Sequence, residues 1–124
     1  MRKQFHLRNT DQGLLAWDVH RLVEMTKDLP VIDLPLGDTR ELDEPFWYDK
    51  HDVPTCRSIA RHAQLIEETD LAHPIIVDPD NRVMDGMHRV CKAVNQGLKT
   101  IKAVRLTILP EPDYVNVPVN ELPE

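Results

Sequence analysis

Residues 74–97 constrain the fold more than any other stretch of this chain. They read Pro-Ile-Ile-Val-Asp-Pro-Asp-Asn-Arg-Val-Met-Asp-Gly-Met-His-Arg-Val-Cys-Lys-Ala-Val-Asn-Gln-Gly. The apolar run at 74–78 predicts a buried strand. Asp78-Pro79-Asp80-Asn81 predicts a tight turn. Asp starts it, Pro sets φ at the second position, and Asn tolerates a left-handed conformation near its end. Val83-Met84-Asp85 predicts the returning strand. A helix opens at once, with Val90, Ala93 and Val94 as its packing face and Gly97 as its stop.

The glycine at this strand-to-helix junction points to chemistry. Gly86 lets backbone N–H groups face outward and a ligand approach closely. The helix start adds a partial positive charge. Met87 presents its backbone N–H, His88 an imidazole donor, and Arg89 a fork suited to two phosphate oxygens. Asp85 could orient Arg89 or His88, or hold a metal-bound water beside a nucleotide–Mg²⁺ complex. Asp85, Gly86, Met87, His88 and Arg89 are thus a candidate phosphate site. The bland alternative is an Asp-Gly turn followed by a surface His and Arg.

Around this segment the pattern predicts a small α+β domain, a mixed β-sheet with flanking helices. Residues 3–8 read as a short strand. A helix over 13–27 is expected, capped by Thr10 or Asp11 and striped by Leu14, Leu15, Trp17, Val19, Leu22 and Val23. Residues 31–34 read as a strand stopped by Pro35 and Gly37. Residues 36–52 form a long irregular connection, in which Phe46-Trp47-Tyr48 either plugs into the core or closes over a ligand. Asp52 with Pro54 starts a helix over 53–69. Cys56, Ile59, Ala63 and Ile66 are its expected buried face, with Arg57, Ser58, Arg61 and His62 on or beside the other side. A strand over 101–108 puts Ile101, Ala103 and Val104 inside, and 114–119 could add an edge strand. One domain spans 1–124, with an N-terminal extension at 1–28 and a proline-rich tail at 110–124.

Charge narrows the partners. Net charge is −6, but residues 81–105 carry six Lys/Arg against Asp85 alone, a balance of +5. The remainder holds nine Lys/Arg against twenty Asp/Glu, a balance of −11. A local positive patch suits a small anion. Duplex DNA needs a broad basic surface and is disfavoured as a partner. No apolar run approaches a membrane span, and residues 1–12 are too polar for a secretory signal. Cys56 and Cys91 lack metal-type spacing and read as reduced thiols of a cytoplasmic protein. His51, His62 and His73 show no metal-site spacing either, so no protein-built metal site is expected. Ser58 and His62 lie one helical turn apart without a third partner for a hydrolase triad.

Asp85-Gly86-x-His88-Arg89 after a β-hairpin, followed by a short helix ending in Gly97, resembles the signature of the ParB/sulfiredoxin-like superfamily. The likeness is close over 72–106 and looser over 30–34 and 53–69. Where sulfiredoxins carry their catalytic cysteine this chain has Met87, which argues against that chemistry. Partition ParB proteins usually carry Gly-Glu-Arg-Arg and a following DNA-reading domain, which is not expected here. The loop is most similar to that of the free-serine-kinase-like branch, Asp-Gly-His-His-Arg, with Met87 in place of one His. The resemblance implies ATP or CTP as ligand, with Mg²⁺. It also implies an upstream catalytic carboxylate, for which Glu67, Glu68 and Asp70 are candidates beside Asp85, and a phosphate contact from Ser58 or Arg57.

The expected function is an ATP-dependent phosphotransferase acting on a small hydroxylated acceptor. The alternative is a non-catalytic ATP/CTP-binding module that contacts a protein partner, with which a homodimer is compatible. A ParB-like nuclease is the weakest reading, given the acidic surface.

Overall fold

The computed structural model describes residues 4–123, so the outermost residues of the expected extension and tail, and the start of the first expected strand, lie outside it. It holds three helices and two small sheets. Strands β1 (Phe5–Thr10) and β2 (Gly13–Asp18) form an antiparallel hairpin, joined by β7 (Tyr114–Val115). The second sheet has the order β3-β6-β4-β5, from Ile32–Pro35, Thr100–Arg105, Ile75–Val77 and Val83–Asp85. Its central pair β4–β6 is parallel and the others antiparallel, so this sheet is mixed as expected.

The β4–β5 hairpin is buried on both faces, which explains its unbroken apolar sequence. Ile75, Val77 and Val83 point to one side, with Met87, Val90 and Ala93 of α3 (Met87–Asn95). Ile76 and Met84 point to the other, with Trp17 and with Leu22 of α1 (Val19–Thr26). The 78–81 turn forms as its residues dictate. Asp78 accepts the N–H groups of Asp80 and Arg82 at 2.8 and 2.9 Å, and Asn81 takes φ 65°. Ile101, Ala103 and Val104 are buried.

Three expectations are corrected. The first half of the expected 13–27 helix is strand β2. Gly13 adopts φ 106° at the hairpin corner, and Asp18, not Thr10 or Asp11, caps the helix by accepting the His20 N–H. The helix-like stripe is misleading because Trp17 and Leu22 enter the same core from two different elements.

The long helix α2 (Cys56–Glu68) starts later than expected, because Thr55 and Ser58 form a reciprocal capping box. Asp52 instead gives its N–H to Asp49.

The third correction concerns the face of α2. No residue of α2 is buried, Ile59 is 56% exposed, and Cys56 and Ala63 are exposed. Its inward positions are Ser58, His62, Leu65, Ile66 and Thr69, a face turned by about one residue from the expected one.

The expected N-terminal extension is part of the core. Trp17 is 1% exposed, and its Nε1 donates to the Pro110 carbonyl at 2.8 Å. Asp113 accepts the Asp18 N–H and pairs with Arg21, strapping the tail to the hairpin. Among the described residues no helix is long and apolar enough to cross a membrane.

His6, on β1, is buried against Trp17, and its Nε2 accepts from Arg8 Nε at 2.8 Å. Burial, then the Arg8 charge, lowers its pKa to about 3. Between that value and the ordinary 6.5, the unfolded chain binds a proton that the folded one refuses, so stability falls as pH drops through this window. Urea unfolding is expected to show a loss from this group of about 2 kcal/mol between pH 6.5 and 5. His6→Asn should be less stable at pH 7 but flatter with pH. An equal slope in both proteins would rule the effect out.

Candidate functional site

Gly86 takes φ 106° and ψ 26° as the residue before α3, a left-handed conformation that favours glycine. A Cβ there would lie 2.6 Å from Ile75 Cγ2 and 2.7 Å from Arg89 Nη2. The Arg89 guanidinium therefore lies directly over the glycine. It is held there by Asp85 Oδ2, which accepts from Nη2 at 3.0 Å. Both groups are largely buried, with side chains 14% and 23% exposed. The first-turn N–H groups of α3 have no intrahelical acceptor, and no side chain caps them at Gly86.

Asp85, Gly86, Met87, His88 and Arg89 line a cleft of about 380 Å³ together with Gln4, Leu65, Glu68 and Thr69. The Met87 side chain turns away into the core. Of the upstream carboxylates, Glu68 reaches this cleft, and its Oε1 accepts from Gln64 Nε2 at 3.0 Å. Glu67 does not line it, and its carbonyl accepts from Lys92 Nζ. Asp70 caps its own turn by accepting the Ala72 N–H. Ser58 and Arg57 do not line it either. The Ser58 hydroxyl donates to the Thr55 carbonyl, accepts the Thr55 N–H and contacts the Tyr48 hydroxyl at 3.1 Å, while Arg57 is exposed.

Sequence reasoning missed the cluster behind His88. His62 Nδ1 and His88 Nε2 lie 2.9 Å apart, so one ring donates to the other. The Trp47 indole stacks on both, at 4.1 and 4.5 Å between centroids and 16° between planes. Burial lowers both histidine pKa values, and the neighbouring His62 lowers that of His88 further. The pair therefore rests neutral at pH 7, with His88 at the edge of the cleft. The only signals in the sequence were the adjacent aromatics and a His on each of two helices, 26 positions apart.

Asp85 and Arg89 also line a second cavity of about 310 Å³, walled mainly by aliphatic residues including Val23, Leu29, Val31, Ile76 and Val104. Cys91 is half-buried, and burial raises its thiol pKa, so it is not a ready thiolate. Among the described residues no group of three or more His, Cys, Asp or Glu side chains could hold a metal ion. A nucleotide-bound Mg²⁺ needs only one or two carboxylates besides phosphate and water, and Asp85 and Glu68 both line the cleft. No protein-family model, curated protein or solved structure matches the chain.

Two outcomes test this geometry. Gly86→Ala is expected to lose about 2 kcal/mol or more in thermal or urea unfolding, through backbone strain and displacement of Arg89. A neutral effect would show that the loop is not held as described. In Trp47→Leu, His62 and His88 gain water and should titrate at higher pH than in the wild type, as followed by imidazole NMR signals. Unchanged titration would mean that Trp47 does not desolvate the pair.

Proposed function

We propose that this chain is a ParB/sulfiredoxin-like domain that binds a nucleotide through residues 85–89 and passes its terminal phosphoryl group to a small hydroxylated acceptor. The observation that carries the reading is Arg89 folded over a left-handed Gly86 at the open start of α3. Backbone donors, a forked cation and a close-approach glycine converge there, the combination phosphate oxygens require. The adjoining aliphatic cavity, which shares Asp85 and Arg89, suits the nucleoside of ATP or CTP better than a bare phosphate would use it.

Charge in the cleft sets a condition. Asp85 and Glu68 oppose Arg89, so the cleft lacks the cationic excess a triphosphate needs. Mg²⁺ would supply that neutralisation. Arg89 and the α3 N–H groups would hold phosphate oxygens, and Glu68 or neutral His88 would take the acceptor's hydroxyl proton. The acceptor oxygen then bonds to the terminal phosphorus as the nucleoside diphosphate leaves. His62 would share the proton taken by His88.

A second reading, a non-catalytic nucleotide-binding module, draws support from one detail. Both carboxylates in the cleft are engaged, Asp85 by Arg89 and Glu68 by Gln64.

Calorimetry with ATP, CTP, GTP and phosphate, with and without Mg²⁺, tests the site. One nucleotide should bind only with Mg²⁺ and weaken about tenfold to a hundredfold in Arg89→Ala. Arg89→Lys should recover part of the loss. Binding that ignores Arg89 would overturn the site. Nucleotide consumption stimulated by one acceptor from a metabolite panel would establish the transferase, and its absence with binding intact would establish the module.

A further inference from the structure

A cleft of about 520 Å³, larger than the one at the phosphate loop, runs beside strand β1. Residues 6–10 all line it, and its other walls include Pro45, Phe46, Arg82 and Val83. A cleft on one face of a sheet touches alternate residues of a strand, because successive side chains point to opposite faces. Contact with five residues in a row places this one along the strand's edge. That edge is open. β1 pairs only with β2. The carbonyls of Leu14 and Ala16 on β2 accept from Asn116 and Asp113, so these two residues turn their backbone groups away from β1. Opposite residues of an antiparallel pair either face each other or both face away. Asn9 and Leu7, which stand opposite Leu14 and Ala16, therefore turn their N–H and C=O groups outward. Among the described residues nothing hydrogen-bonds those four groups. Unpaired backbone groups shut away from water are rare, so these open into the cleft that both residues line. The other sheet edge at this cleft is guarded. There β5 ends its sheet, and Val83 gives its N–H to the Glu41 carboxylate at 2.6 Å. Strand β1 has no such plug.

Outward donors and acceptors spaced along an edge match the main chain of one more strand. Every second side chain of that strand falls on the face of β1 that carries His6. Phe46, 38% exposed, stacks near His6 on that face, and Pro45 also lines the cleft. The charges along the edge are already matched. Arg82 pairs with Glu44 through two bonds of 3.1 Å and lies 3.7 Å from Glu41, and Arg8 pairs with Asp78 at 3.0 Å. A charged side chain would find no free counter-charge there, whereas an apolar one would cover Phe46. A second copy of this chain fits less well. Its β1 would arrive with its own residues 44–46 alongside, in a gap that the same residues already wall.

We propose that the free edge of β1 is a docking site for an extended peptide segment of a partner protein, added as a further strand with apolar side chains at alternate positions. Its main chain pairs with Leu7 and Asn9, and its apolar side chains pack on Phe46 and Pro45. The site shares no lining residue with the phosphate cleft.

The test uses the full chain and capped hexapeptides of alternating Val and Thr, one ordinary and one methylated on every backbone nitrogen. Calorimetry measures binding, and amide hydrogen exchange by NMR maps it. The ordinary peptide should bind at millimolar concentration or below and slow exchange of the Leu7 and Asn9 amides by about tenfold or more. The methylated peptide keeps the side chains but has no donors, and should bind about tenfold more weakly or worse. Lys in place of each Val should also weaken binding. Asn9→Pro removes an outward N–H and spares the β1–β2 ladder, so it should weaken the ordinary peptide by a similar factor in a folded protein. No binding at millimolar concentration, equal binding of the methylated or Lys peptide, or protection confined to residues away from β1 would overturn the proposal. A dimer in sedimentation that Asn9→Pro separates would assign the edge to a second copy and overturn it too. Should Asn9→Pro fail to fold, the peptide comparison and exchange map on the wild type decide it.

Discussion

One buried carboxylate, Asp78, joins the two halves of this molecule. Through Oδ1 it accepts two backbone N–H groups and shapes the turn between β4 and β5. Through Oδ2 it accepts from Arg8 of the N-terminal hairpin, 70 positions away. At 3% exposure such a charge persists only if it is paired and hydrogen-bonded, and Asp78 is both. The same carboxylate therefore shapes the turn that pairs Val77 with Val83, beyond which a register shift brings Asp85 to Ile76, and it anchors the hairpin whose Trp17 covers the back of the sheet. Gly86 inherits its position from that pairing, because it is the single residue between the end of β5 and the start of α3.

What was legible in the sequence was what is decided locally. The 78–81 turn, the two short strands, the glycine before α3 and the buried positions of β6 all follow from neighbours a few residues apart. The hairpin at 5–18 was not legible as such, because Leu14, Trp17 and Leu22 mimic a helical stripe. The contact that distinguishes the alternatives, Trp17 to Pro110, spans 93 positions. The face of α2 failed for a related reason. Aliphatic periodicity favoured Ile59 and Ala63, but His62 turns inward because a hydrogen bond to His88 and the face of Trp47 await it. A polar, stacked contact outweighed the aliphatic stripe there, and no periodicity could foretell it. The candidate phosphate loop was visible in full, whereas its supporting cluster depends on tertiary contacts alone.

The segment at 36–52 is better ordered than its sequence suggests. Two 3₁₀ turns, Leu36–Asp38 and Arg40–Asp43, carry it past the sheet edge, with Leu36, Thr39 and Glu41 buried. Its aromatic residues then divide the work between the two clefts. Phe46 stacks near His6 at 6.4 Å and lines the larger cleft, while Trp47 leaves it edge-on at 6.1 Å and roofs the histidine pair. A continuous row of rings, Trp17, His6, Phe46, Trp47 and His88, thus connects the two regions. Each histidine in that row is kept neutral by burial, which avoids placing charges among stacked rings without partners.

The ion pair over Gly86 would keep the proposed anion site in order before any ligand arrives. Without a partner, a guanidinium 14% exposed would bear much of the cost of desolvation. Asp85 removes that cost and fixes the fork one helical turn from its own backbone. The pair still opens to water on its Asp85 side, at 23% exposure, so releasing it costs far less than breaking a fully buried one. In the proposed site, a phosphate would take the other donors of Arg89 while Asp85 keeps Nη2, or would displace Asp85. Either way the arginine is oriented in advance, and the entropy of ordering its long side chain is spent in folding, before any ligand arrives. Gly86 is the residue that permits this arrangement, since any side chain there would occupy the space the guanidinium fills.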